Sequence, residues 1–244
     1  MSAITIDIST KSYQAASSGH AIIANLQLQV YTNQFVCLVG PSGCGKTTLL
    51  NIIAGLDRQY SGNICINGAT HAPHIGYVFQ NPRLLPWYNV RRNIELVFSS
   101  SPPADYIDAL LQAMQLQDEQ HRFPQQLSLG MQRRVSIIRA FAINPDILLM
   151  DEPFVSLDAP TARQIRHLLY DLWQQRPHTI LFVSHDLREA IALADRLIFL
   201  SARPMQLAAD IIVPLDRLQR LDSVCIEAFR QTLLDDYPAI QCLL

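Results

Sequence analysis

An α/β fold is what this 244-residue sequence predicts: a mostly parallel sheet, an antiparallel β portion at the N-terminal end, and an inserted helical segment. Three observations carry that expectation. Short apolar runs alternate with helix-like stretches through the second half. Two stretches near the N-terminal end, residues 4–8 and 26–30, alternate apolar and polar at a period of two. From Asn81 to about Asn144, β-branched runs give way to Gln, Arg and helical spacing.

Taken in order, Ile4, Ile6 and Ile8 alternate with polar residues, as do Leu26, Leu28 and Val30, the pattern of half-exposed antiparallel strands. Phe35-Val36-Cys37-Leu38-Val39 is an uninterrupted apolar run with strand character. Asn63 to Gly68 and Ile75 to Phe79 read as further strands. After the helical segment, Pro145 and the run from Ile147 to Asp151 return to the core. Thr179 to Val183 and Arg196 to Leu200 continue a buried parallel sheet, between helices expected around 160–174 and 187–194. Leu215, Leu218, Cys225 and Phe229 place an amphipathic helix over 215–234. The chain reads as a single domain, 1–244. Residues 1–80 and 145–214 form the core with its β portion, 81–144 the helical insert, and 215–244 a helical tail.

Composition narrows the class. A hydrophobic content of 49% suits a globular protein, and a formal charge of −2 argues against a nucleic-acid binder relying on a basic surface. No apolar stretch reaches membrane-spanning length, and Met1 to Asp7 lacks a basic-then-apolar leader pattern. The five cysteines, Cys37, Cys44, Cys65, Cys225 and Cys242, show no metal-binding spacing and read as reduced thiols.

The chemistry begins at Gly40-Pro41-Ser42-Gly43-Cys44-Gly45-Lys46-Thr47-Thr48, a complete G-x-x-x-x-G-K-[ST] pattern between an expected strand and an expected helix. Its glycines permit turns that aim successive backbone N–H groups into one concavity. The helix from Thr47 to Ala54, closed by Gly55, adds a partial positive charge at the same place. Lys46 would reach the β- and γ-phosphates, and Thr47 would ligate Mg²⁺. These residues define a P-loop NTPase core. Downstream, Asp151 and Glu152 end an apolar strand; alternation would put them on opposite faces. Asp151 is then the Mg²⁺ candidate and Glu152 the residue that positions or deprotonates the attacking water. A solvated acidic strand end is the plain alternative. Gln80 and His185 follow expected strands, where α/β sheets gather ligands, though each also suits a surface loop. Tyr13, in a polar stretch upstream of the loop, offers a ring on which adenine would stack.

With these motifs in hand, the chain resembles the ATP-binding subunit of an ABC transporter over nearly its whole length. Tyr13 matches the adenine-stacking aromatic, Gly40 to Thr47 the Walker A loop, and Gln80 the Q-loop glutamine. Ser128 and Gly130 match the signature sequence, in which Met131 replaces glutamine as is common among importers; Asp151 and Glu152 match the Walker B segment, Asp158 the D-loop, and His185 the switch histidine. The resemblance implies ATP and Mg²⁺ as cofactors, with Gln80 also near the metal. It implies a head-to-tail pair of subunits in which Ser128, Gly130, Met131 and Asp158 complete the neighbour's nucleotide site. Ser128 would cap the helix running through Val135, Ile138 and Ala142, aiming its positive end across that interface.

The resemblance also implies multi-spanning permease subunits, indirectly a solute-binding protein, no nucleic-acid partner, and a peripheral place on the cytoplasmic face of the inner membrane. The run from Pro82 to Ile94, with Leu-Leu-Pro-Trp at 84–87, resembles importers for nitrate, taurine, alkyl sulfonates and thiamine precursors. Leu84, Leu85 and Trp87 would either line a groove for a membrane-subunit helix or pack beneath the helical insert. The signature departs from Leu-Ser-Gly-Gly at Leu129, where a side chain costs space and disfavours a positive φ. Cys44, at a helix N-terminus, suggests a thiol whose alkylation blocks ATP. The function expected is that of an ATP-hydrolysing importer motor. A non-transport ATPase of the same family, or a regulatory subunit with low turnover, is the alternative.

Overall fold

In the computed structural model, residues 2–13, 21–66, 73–99 and 102–243 are described. In chain order the elements begin with β1 (Ser2–Ser12), β2 (Ala21–Tyr31), β3 (Phe35–Val39), α1 (Lys46–Ile53), β4 (Ser61–Ile66), β5 (Ile75–Val78), α2 (Val90–Glu95) and α3 (Ala104–Ala113). There follow α4 (Leu129–Ala142), β6 (Ile147–Asp151), α5 (Ala159–Gln175), β7 (Thr179–Val183), α6 (Leu187–Leu193), β8 (Arg196–Leu200), β9 (Leu207–Ile212), α7 (Ser223–Asp236) and α8 (Pro238–Gln241). They fall into two compact units, Met1–Ala72 with Thr179–Leu244, and Pro73–His178. The second unit is larger than the expected 81–144 insert, because it includes β5, β6 and α5.

In the first unit, β1 pairs antiparallel with β2 and with β4. The alternation read from the sequence is the packing: Ile4, Ile6 and Ile8 oppose Val30, Leu28 and Leu26, and all of them are buried. β4 ends at Ile66; Asn67 and Gly68, expected to continue it, lie outside the described residues. A second set of strands has β3 between β7 and β8, parallel to both. Every residue of β3 and β7 is buried, which is why these strands read as continuous apolar runs. The antiparallel strand β9 beside β8 had no counterpart in the sequence reading. Its Leu-Ala-Ala-Asp start lacks alternation; it is held by ladder pairing along β8, with the Arg196–Asp210 pair added across the two strands.

The expected tail helix is shifted. Residues 215–222 are not α-helical: Asp216 and Gln219 each accept the other's backbone N–H through their side chains, and Asp222 then caps α7. Leu218 is 78% exposed, and the residues buried from the tail are Leu233, Leu234 and Ile240.

In the second unit, β5 and β6 are parallel, with Ile75 opposite Ile147 and Val78 opposite Met150. The helices α2, α3, α4 and α5 surround them in sequence. Among the described residues, no helix is long and apolar enough to cross a membrane.

Candidate nucleotide site

β3 delivers the chain into the phosphate loop, and α1 takes over at Lys46. Gly45 makes this turn possible. Its φ is 124°, and a Cβ there would come within 2.8 Å of the Ile22 side chain, so only glycine fits. Lys46 is buried and folds back over the loop, its Nζ donating to the Gly40 carbonyl at 2.6 Å and the Pro41 carbonyl at 2.9 Å. Arg203 donates to the Gly43 carbonyl at 2.7 Å from outside the loop. Ser42, Gly43 and Thr47 face solvent along the rim, whereas Cys44 is buried. A thiol so enclosed does not suit the free alkylation expected of Cys44. Thr48 sits one residue further into α1, and its hydroxyl lies 3.3 Å from that of Tyr13. The proposed adenine platform therefore stands against the loop.

His185 reaches the same sheet edge by a different route. It is the second residue beyond β7, which neighbours β3 with Val183 opposite Leu38. The Ser184 hydroxyl fixes this turn: it accepts from the Asp186 N–H at 3.1 Å and donates to Glu189 at 3.0 Å. His185 itself is exposed. The loop and the histidine thus both emerge at the carboxyl ends of adjacent parallel strands, where such sheets place ligands.

The second unit brings Gln80, Asp151 and Glu152 to the carboxyl ends of β5 and β6. Asp151 is the last residue of β6 and is buried. Burial and then the Asp151 charge push the neighbouring Tyr77 hydroxyl far above its ordinary range, so Tyr77 stays neutral. Glu152 corrects the sequence reading. It lies beyond the strand with φ 46°, so its direction comes from a left-handed turn and not from strand alternation. Gln80 Nε2 donates to Glu152 Oε2 at 3.1 Å, joining two residues separated by most of the helical segment.

Ser128 caps α4, its hydroxyl accepting the Met131 N–H at 3.2 Å. Leu129 is the first helical residue, 39% exposed, and is absent from the residues with positive φ. The backbone therefore makes no demand for glycine at this position, and the anticipated conformational cost does not arise. Gly130 does have a packing reason: a Cβ would meet the Thr161 methyl of α5 at 2.7 Å. Asp158 caps α5, and the hydrogen bonds it accepts from Thr161 hold its carboxyl below the usual value.

Sequence reasoning missed Arg133. Its guanidinium is buried within α4 and donates to the carbonyls of Phe79 and Gln80 at 3.0 and 2.5 Å. Arg139, two turns along, donates to the carbonyls of Pro82 and Arg83. No sequence signal marks them, since basic residues on a polar helix usually face water. Asn93 was also missed. Fully buried, it bonds the backbone of Leu85, Tyr88 and Asn89 and so shapes the turn that carries Trp87. Trp87 is 66% exposed and, with Tyr88, Arg91, His121 and Phe123, lines a groove of about 420 Å³. Leu84 and Leu85 are half-buried and do not line it.

A glycine-rich loop clasped by its own lysine, with a histidine at the neighbouring strand end, defines a phosphate-loop nucleotide-binding protein. Residues 23–155 match the family described as ABC transporter. The aliphatic sulfonates import ATP-binding protein SsuB of Bacillus subtilis (strain 168) is 36% identical over 240 residues, covering 96% of this chain and 94% of that protein. The nitrate import ATP-binding protein NrtD of Synechococcus elongatus is 35% identical over 225 residues, covering 88% and 82%. Among solved structures, the ATP-binding cassette MJ0796, a dimer in a post-hydrolysis state bound to ADP and Pi, superposes with a TM-score of 0.76. It is 28% identical and covers 87% of this chain and 100% of that one. The chain belongs to the ABC transporter family.

Proposed function

We propose that this chain is the ATP-hydrolysing motor of an importer and works as a head-to-tail pair on the cytoplasmic face of the membrane. The observation that carries turnover, beyond binding, is the Gln80–Glu152 hydrogen bond. It gives the carboxylate a fixed direction beside the buried Asp151. In this reading Gly40 and Pro41 shape the turn, which the Cys44 N–H closes on the Pro41 carbonyl, and the backbone N–H groups of Ser42, Gly43, Gly45, Lys46, Thr47 and Thr48 cradle the phosphates. Lys46 exchanges its carbonyl partners for phosphate oxygens. Tyr13 stacks on adenine, and His185 steadies the γ-phosphate. Glu152 orients the attacking water.

Thr47, Gln80 and Asp151 offer hydroxyl, amide and carboxylate oxygens, a hard donor set that suits Mg²⁺. The metal supplies charge neutralisation to the phosphates. Ser128, Gly130, Met131 and Asp158 serve the nucleotide held by the second copy. Support for pairing comes from the dimeric relative of known structure.

The Trp87 groove is the proposed seat for a short helix of a permease subunit, with Trp87 as its aromatic anchor. The relatives named for sulfonate and nitrate import support an importer of small anions. Co-expression with a multi-spanning subunit tests the assignment. The two should co-purify, ATPase should rise with a loaded solute-binding protein, and Trp87→Ala should cut co-purification about tenfold. Retained assembly with the alanine variant would move the contact elsewhere.

Leu129 has a separate test. Because its backbone is ordinary helix, Leu129→Gly should leave ATPase of the assembled complex equal or a few-fold higher, roughly, by opening space without changing φ. A large drop would mean that the leucine itself takes part in the interface.

A further inference from the structure

We propose that Lys11 is a positioning residue for the nucleotide base, holding Tyr13 so that one face of its ring is reserved for a purine. This rests on the reading of Tyr13 as the base platform. The residue reaches its place through an irregularity. Ile4, Ile6 and Ile8 point into the core, and the register with β4 slips between Ile8 and Thr10. After the slip an odd-numbered residue turns inward, and Lys11 ends 1% exposed. Bulges re-aim side chains in this way.

An ammonium group that deep is costly unless each of its protons has a partner. Asp57 accepts it through both carboxylate oxygens, at 2.8 and 2.7 Å, and the Gln59 carbonyl accepts at 2.8 Å. The Tyr13 ring lies over the same nitrogen, 4.6 Å from centroid to Nζ. Tyr13 is 50% exposed, yet it is held twice: its face by Lys11 and its hydroxyl by Thr48. A ring pinned on one face by a cation and at its tip by Thr48 presents its other face at a set height beside the phosphate loop. That is preorganisation: stacking then costs little side-chain freedom.

The test is calorimetric titration of the full chain with MgATP and, separately, with the Mg²⁺ complex of inorganic triphosphate, which has no base. The ratio of the two affinities on one preparation is independent of how much of it is folded. Lys11→Met should weaken MgATP about five- to tenfold and leave triphosphate unchanged. Lys11→Arg should recover most of the loss. Asp57→Asn, which loosens the lysine without removing it, should shift the ratio in the same direction by less. In a Tyr13→Ala background, Lys11→Met should have no further effect. Equal weakening of both ligands, or a loss that persists without Tyr13, would overturn the proposal. A Tyr13→Ala variant with an unchanged ratio would instead remove the base platform, and Lys11's role with it.

Discussion

Glu152→Gln brings steady-state ATPase of the assembled transporter down by about 10²–10⁴-fold, the range for losing a positioned base, while MgATP still binds. The change is close to isosteric. The left-handed backbone at 152 is undisturbed, and Gln80 can still bond the oxygen that remains. What disappears is the charge proposed to orient and deprotonate water. Binding groups on the loop are untouched, so the variant should accumulate as an ATP-bound pair. Light scattering with and without MgATP reads that state. Wild-type turnover in this variant would remove Glu152 from the mechanism, and a monomer at saturating MgATP would remove the pairing.

Lys46→Ala weakens MgATP binding about 100-fold, the loss expected for a buried charge-assisted contact to phosphate. In this structure the lysine bridges the Gly40 and Pro41 carbonyls. In the proposed reading its three protons would turn to phosphate oxygens. Alanine removes both, leaving two carbonyls to water and the loop less fixed. Titration calorimetry checks the affinity, and a melting curve without nucleotide reports the loop's share of stability. A small change in affinity would mean that the backbone N–H groups and the α1 terminus carry the phosphate alone.

The parts of this structure that follow from local pattern were legible in the sequence. The strands β3, β6, β7 and β8 are fully or almost fully buried, so unbroken apolar runs announce them. The Ser128 cap was readable because capping chemistry is local to one turn. What escaped depends on distant partners. β9 exists beside β8 through pairing and the Arg196–Asp210 bridge, neither visible in a window of six residues. Lys11 and Arg133 look like surface residues until the fold encloses them. Glu152 was assigned a direction by strand alternation, but the strand stops one residue earlier, and the turn beyond it decides. The tail helix was displaced because Leu218 resembles a core leucine in the sequence, while the reciprocal Asp216–Gln219 bonds break the helix there.

Arg133 carries a consequence for motion. Among the described residues its Nε has no acceptor, and one terminal nitrogen holds the carbonyls of both Phe79 and Gln80. Rupturing those bonds strands a charge away from water, a heavy penalty. Tugging the backbone at Gln80 therefore drags α4, and a tilt of α4 pulls back on Gln80. Through this linkage a displacement at one end is felt at the other.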